Sequence, residues 1–351
     1  MNLPTPSPKH AVALLVAAIG IGCGEPIIAP PSTPQQPAPE PGGPDAPTLP
    51  ATCVPAPAST GVLNPNCVYI MGTLTPGTVE RDVLFHPEFP DPASYRLGFA
   101  SKAYSSHLRS DGQLQFIDTR PGANDYRAYL HVVDEATPNN AYPLNPGDND
   151  VLLPTPVCAA EGRTVHAVMP IPDSTDYYYQ CSHVYGRLHH SSQDGVLDIG
   201  ESWPLATSPS GLVLARPYGL KEATLNRFYS TLKVVGLDGF GLYAARWDGD
   251  SFMAASWDTN GDGDITAMQF RVTTTGVATP VAPYIIGDLS SIGFPAGCAL
   301  EQGGDLICAI DQFDSWDDLI VRLSTSAPPV VVFNESEHAV KLHGPQLITG
   351  P

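Results

Sequence analysis

The sequence predicts an all-β fold, a β-propeller-like repeat of antiparallel meanders, from three observations. Short β-branched and aromatic runs recur throughout residues 61–351: VYIMG, DVLF, YRLGFA, QLQFID, YRAYLHVV, TVHAVM, YYYQC, LVLAR, YSTLKVV and VVVF. Glycine, proline, asparagine and aspartate fill the gaps, and no amphipathic helix of convincing length intervenes, although Gly219–Asn226 has the composition for one helical turn. One three-strand unit occurs twice, 54 residues apart. Residues 61–351 accommodate five to seven blades, some of them shorter than 54 residues, and stacked or separate β-sandwich domains are the alternative architecture.

The N-terminal segment is an address rather than part of the fold. Lys9 and the amino terminus are followed by an apolar run, Ala11 to Gly22, and then by Cys23. That run is too short for a bilayer-spanning helix, which needs ~20 residues. Ile21, Gly22 and Cys23 resemble the lipobox of a bacterial lipoprotein signal peptide, except that Gly20 stands where a leucine is usual. The resemblance implies that 1–22 is a signal peptide and that Cys23 is lipidated. It also implies a place in the bacterial cell envelope, as an outer-membrane lipoprotein facing the periplasm or the cell surface.

Residues 23–60 follow as a linker, in which 12 of the 36 residues from Glu25 to Thr60 are proline. Proline removes backbone donors and fixes an extended geometry, so the stretch reads as a semi-rigid spacer. The chain has 36 acidic against 17 basic residues, a formal net charge of −19, which repels phosphate backbones and excludes nucleic acid as an expected partner. Membrane contact is expected through the lipid anchor only. The cysteines number seven; with Cys23 assigned to lipid, Cys53, Cys67, Cys158, Cys181, Cys298 and Cys308 remain as three pairs of near neighbours. Local disulfides are expected, and Cys298 and Cys308 flank Gly303 symmetrically, as partners across a hairpin do.

The repeat itself runs GFGLYAARW, DGD, SFMAASW, DTNGDGD and ITAMQFRVTTT from Gly239 to Thr275. Asp248-Gly249 is a hairpin signal between apolar runs of matched length. Gly239, Phe240, Ala245, Gly249, Phe252 and Ala255 align without a gap on Gly293, Phe294, Ala299, Gly303, Leu306 and Ala309. A looser third copy starts at Cys158, with CAAEGRTVHAV set against CALEQGGDLICAI.

Asp258, Asn260, Asp262 and Asp264 place oxygen-bearing side chains at alternate positions of a glycine-containing loop, as a hard cation such as calcium requires. DTNGDGDIT resembles the first half of an EF-hand loop and equally the DxNxDG loops of integrin-type propeller repeats. The resemblance implies calcium ligands at Asp258, Asn260 and Asp262 and at the carbonyl of Asp264. Thr266 and Gln269 depart from it, since an acid is usual at both places. The alternative is a turn whose side chains bond their own backbone. HHSSQDGVLDIGE is a weaker loop, with His190 and Ser192 where calcium wants carboxylates and Asp194, Asp198 and Glu201 behind them. His183, His189 and His190 lie close in sequence, but no HExxH spacing accompanies them, and GxSxG, P-loop and GxGxxG motifs are absent.

The expected function is therefore non-enzymatic: a lipid-anchored envelope protein whose calcium-stabilised repeat domain binds a protein or glycan. The alternative is an envelope hydrolase or lyase with its site in the central funnel. A structural spacer-and-cap protein is a third class. The anchoring expectation has a direct check, because Cys23→Ser should release the protein from the membrane fraction in detergent partitioning, and unchanged partitioning would remove Cys23 as the attachment point.

Overall fold

The computed structural model describes residues 53, 64–75, 81–85, 96–97, 106–110, 112, 114–118, 127–131, 151–152, 154–163, 165–182, 186–193, 195–218, 221–259, 265–287, 289, 293–312, 318–334 and 341–350. Cys23, the signal and linker segments up to residue 52, and the loop residues Asn260, Asp262 and Asp264 lie outside them. The chain divides into Met1–Thr48 and Leu49–Pro351, and the second unit holds every described residue.

The described residues form six four-stranded antiparallel sheets. Blade 1 has β1 (Val68–Thr75), β2 (Arg81–Phe85) and β3 (Arg96–Leu97), and blade 2 has β4 (Ser106–Leu108), β5 (Leu114–Asp118), β6 (Arg127–His131) and β7 (Val151–Leu152). After a short helix, α1 (Pro156–Ala160), blade 3 has β8 (Val165–Pro170), β9 (Tyr177–Cys181), β10 (Arg187–His190) and β11 (Val196–Asp198). Blade 4 has β12 (Ser202–Thr207), β13 (Val213–Pro217), β14 (Thr224–Arg227) and β15 (Ser230–Lys233). Blade 5 has β16 (Leu242–Asp248), β17 (Ser251–Thr259), β18 (Ile265–Thr273) and β19 (Ala278–Pro283). Blade 6 has β20 (Gly293–Leu300), β21 (Leu306–Gln312), β22 (Asp318–Leu323) and β23 (Val330–Asn334). The late strand β24 (Lys341–Thr349) pairs with β1 and supplies the fourth strand of blade 1.

The inner strands β24, β4, β8, β12, β16 and β20 touch in that order, and β20 touches β24 again, so the ring closes as a six-bladed propeller, within the expected five to seven. Closure depends on alternation along each strand. In β13 and the residue before it, Leu212 and Leu214 pack with Leu242, Ala245 and Phe252 of blade 5, whereas Val213 and Ala215 pack with Met169 and Tyr178 of blade 3. Successive side chains of one strand thus serve two neighbouring blades.

Inner and outer strands each expose one backbone edge, and prolines collect there because a missing N–H costs nothing at an unpaired edge. Pro170, Pro204, Pro295 and Pro345 stand on inner strands, and Pro280 and Pro283 on the outermost strand β19. Inner strands also bulge at a recurrent place: the ladder skips His166 in β8, Leu205 in β12, Tyr243 in β16 and Ala296 in β20.

The three local disulfides form as expected: Cys53–Cys67, Cys158–Cys181 and Cys298–Cys308, the last between directly opposed residues of β20 and β21. The two repeat copies are blades 5 and 6, with one correction. Ala245 faces Ala254, and the equivalent pair is Cys298 and Cys308, so the inner strands match one residue earlier than the gapless alignment has it. Blade 6 places its extra residue in the turn, where Glu301 bonds Asp305, against the tighter Gly249-Asp250 turn of blade 5. The third copy fails. Cys158 lies in α1, opened by Pro156 and closed by Gly162 at φ 63°, and TVHAV contributes the inner strand of its blade rather than the second one. The helical turn expected in Gly219–Asn226 is also overturned, since Thr224–Arg227 is β14, paired on both edges.

A buried polar lock joins blades 5, 6 and 1 at the end where the inner strands finish. The Arg246 guanidinium, 2% exposed, donates to the carbonyls of Leu300 at 3.3 Å and Asn66 at 3.4 Å. The Gln302 amide donates to the same Asn66 carbonyl at 2.9 Å, and the Gly350 amide to Pro65 at 3.1 Å. Arg322 pairs with Glu301 at 3.2 Å. Burial lowers Arg246 to about 10, opposed by Asp248 and Glu301, so it stays charged at neutral pH. Burial also raises the Glu301 carboxyl, opposed chiefly by Arg322. The desolvation cost of a buried ion pair offsets much of its attraction, so the pair adds little net stability, whereas removing one partner alone is strongly destabilising.

A carboxyl raised on folding binds its proton more tightly in the native state. Its contribution is therefore present below the ordinary value of 4.5 and is lost as pH rises through the raised one. Denaturant unfolding across that window should show the wild type losing stability relative to Glu301→Gln, and parallel profiles would mean that Arg322 and Arg246 cancel the cost of burial.

Candidate functional site

At the opposite rim, where the inner strands begin, the junction of blades 4 and 5 changes from apolar core to exposed rings. Trp203 pairs with Arg216, and one step up the ladder the Tyr218 amide donates to the Glu201 carbonyl at 2.8 Å. Paired residues of an antiparallel ladder share a face, as do alternate residues of one strand. Leu212, Leu214, Arg216 and Tyr218 therefore form one stripe facing blade 5, with Trp203 and Glu201 beside its upper end. The lower stripe is buried, whereas Trp203 is 57% and Tyr218 71% exposed.

Blade 5 answers with two side chains. The β16 bulge places Tyr243 outside the ladder, and the Arg216 Cζ lies 4.3 Å from the centre of its ring. Along β17, Phe252, Ala254, Ser256 and Asp258 share the face toward blade 4, and the Asp258 carboxylate accepts from Lys221 Nζ at 2.6 Å. Two contacts thus cross the junction, a cation–π pair and an ion pair. The ion pair is more than half exposed on the lysine side and contributes ~0–1 kcal/mol. Arg216 differs from Lys221: it makes no hydrogen bond or ion pair among the described residues, and its buried Nε has no partner.

The expected calcium loop is seen in part. Asp258 is the paired partner of Thr266 near the end of β17, and its carboxylate is directed to Lys221. Asn260, Asp262 and Asp264 are outside the described residues. Gln269, at the EF-hand's usual acid, lies on the other face of blade 5, with its Nε2 3.4 Å from the Gly304 carbonyl.

The candidate ligands of the weaker loop are spread along a hairpin. His190 sits at the turn end of β10, whereas Asp198 lies at the far end of β11, opposite Arg187, and caps the Gly200 amide at 3.0 Å. Adjacent strand residues point apart. His189 stacks on Tyr179 and His190 meets Tyr178 edge-on, so these two cannot share one metal. His183 and Asp194 lie outside the described residues. Burial lowers His189, opposed by Glu161.

A loose Ser–His–Asp set occurs beside that turn, with Ser192 Oγ 3.4 Å from His190 Nδ1 and His190 Nε2 3.9 Å from Asp176. The same Nδ1 accepts the Ser192 amide at 3.2 Å, and Ser191 holds Asp176 at 3.3 Å, which makes the set a local turn network. Among the described residues, no group of three His, Cys, Asp or Glu side chains is arranged to hold a metal.

Trp203, Arg216, Tyr218, Lys221 and Tyr243 were not singled out from the sequence. A readable signal existed in LVLARPY, where an apolar stripe of period two ends in arginine and tyrosine.

No protein-family model and no curated protein sequence matches this chain. Solved structures similar to it include a streptogramin B lyase, with TM-score 0.37 and 12% identity over 66% of this chain and 68% of that one. A luciferin-regenerating enzyme has TM-score 0.40 and 13% identity over 72% and 80%. A hypothetical selenium-binding protein from Sulfolobus tokodaii has TM-score 0.40 and 10% identity over 80% and 93%. Likenesses at these scores carry no argument about activity.

Proposed function

We propose that this chain is a lipid-anchored envelope protein whose propeller binds a glycan on the rim where its inner strands begin. In this reading Cys23 carries the anchor, residues 23–60 hold the ring away from the membrane, and calcium at Asp258, Asn260, Asp262 and Asp264 steadies the neighbouring loop. The observation that supports it is the pair of exposed rings, Trp203 and Tyr218, on one face of blade 4 at that rim. Flat aromatic faces stack on the C–H faces of sugar rings.

Trp203→Ala should remove glycan binding, read by calorimetric titration against an oligosaccharide panel, while leaving the melting temperature within a degree or two, since the side chain is mostly exposed. Full binding by the variant, or no binding by the wild type to any member of the panel, would exclude this rim as the glycan site.

The calcium part is tested by the lysine. Lys221 Nζ competes with calcium for the Asp258 carboxylate, so Lys221→Met should shift the calcium dependence of the melting temperature to lower concentration, and Asp262→Ala should abolish it. At 100 times the dissociation constant, the bound ion adds about 2.7 kcal/mol to stability. A wild type that melts at one temperature in chelator and in millimolar calcium would reduce the loop to a turn.

A further inference from the structure

Resting on the glycan-binding reading, we infer that the ligand at this rim carries a carboxylate, as a uronic acid residue does, and that Arg216 receives it. In a chain of net charge −19, Arg163, Lys221, Lys233, Arg271 and Arg322 all sit within ion-pair distance of a carboxylate. Arg216 does not, although Glu201 is on its own face of the sheet and acidic residues outnumber basic ones. Arg187 and Arg227 also lack such a partner, but both are exposed, and Arg246 donates to backbone carbonyls instead.

Arg216 is half-buried, lies over the Tyr243 ring, and has an Nε that neither protein nor solvent satisfies. Its terminal nitrogens are open to solvent and make no bond to protein, and a carboxylate is the acceptor whose two oxygens match that fork. The stacked ring restricts the side chain in advance, which lowers the ordering cost when the acceptor binds. Trp203, its cross-strand partner, and Tyr218, two residues further along the chain, carry exposed rings on the same face of the sheet. A planar anion alone uses only the arginine, whereas a ring-bearing anion uses all three side chains. That combination selects an acidic sugar over a free inorganic or small organic anion.

The net charge works against unspecific capture. At low ionic strength the whole surface repels an anionic chain, so binding that occurs reflects the local site, and it should persist at about 0.15 M salt, where distant charges are screened beyond ~8 Å.

The test is calorimetric titration of the full chain with an oligogalacturonide and with its methyl ester, which keeps the sugar rings and removes the charge. The wild type should bind the acid form about tenfold or more tighter than the ester. Arg216→Gln should lose that preference and keep its ester affinity, and Arg216→Lys should restore part of it, with thermal melts confirming that both variants fold. Trp203→Ala should weaken both forms alike. Equal affinity of the wild type for acid and ester, or an undiminished acid preference in Arg216→Gln, overturns the role of Arg216 while leaving the glycan reading standing. Binding of neither form, with no binding to the wider oligosaccharide panel, overturns both; binding of neutral panel members alone overturns only the acidic ligand. Arg216-dependent binding of a peptide through its terminal carboxylate, in preference to the oligogalacturonide, shows that the occupant is a protein.

Discussion

Blade 5 has two apolar faces and cannot cover either of them alone. Phe252, Ala254 and Phe270 point to one neighbour, while Ala255, Trp257 and Ala267 of the same two strands point to the other. The only way to bury both faces of every sheet is to continue until the first blade meets the last. The pairing of β24 with β1 achieves this, and the lock around Arg246, Glu301 and Asn66 lies at that seam. Disulfide placement, proline tolerance and the rim site are all subordinate to this closure. The bond between Cys298 and Cys308 stiffens one hairpin of blade 6, whereas no described disulfide crosses from one blade to the next, because side-chain packing already does.

The same constraint creates the rim site. A stripe of side chains that faces a neighbour is apolar for as long as the neighbour covers it, and the cover ends where the two sheets diverge toward solvent. At the junction of blades 4 and 5 the stripe continues past that point into Arg216 and Tyr218. Bulges in the inner strands add side chains that the ladder does not use. Tyr243 is one such residue, and it is the ring on which Arg216 rests.

The class of fold was legible because turn residues and short β-branched runs are local signals, and all ten runs named from the sequence contribute a strand. The strands that escaped notice are instructive. SWPLAT and KLHGPQLIT contain proline and read as loops, yet they are inner strands whose free edge makes proline harmless. LVLAR shows no alternation in hydrophobicity, because both faces of β13 are buried, so its face assignment had to come from neighbours distant in sequence. The one-residue slip between Ala245 and Ala299 has a similar origin: composition tolerates either alignment, and only the ladder register decides. Asp258 was found through its motif spacing. Its partner Lys221, on another blade and 37 residues away, left no trace in the sequence. Arg216 and Trp203 escaped for the opposite reason, since each is ordinary by itself and gains meaning only from pairing across a ladder.

The disulfide between Cys53 and Cys67 also governs how the ring would respond to being pulled. Tension arriving along the chain ahead of residue 53 crosses a covalent bond to Cys67, one residue before β1, rather than running through the intervening segment. The load then falls directly on a strand hydrogen-bonded along both edges, to β2 and β24. Reduction of that bond lengthens the path only as far as Asn64, where backbone bonds hold the chain, about 40 Å of slack when extended. Thiol chemistry at one site thereby sets how far the chain ahead of the ring extends before load reaches β1.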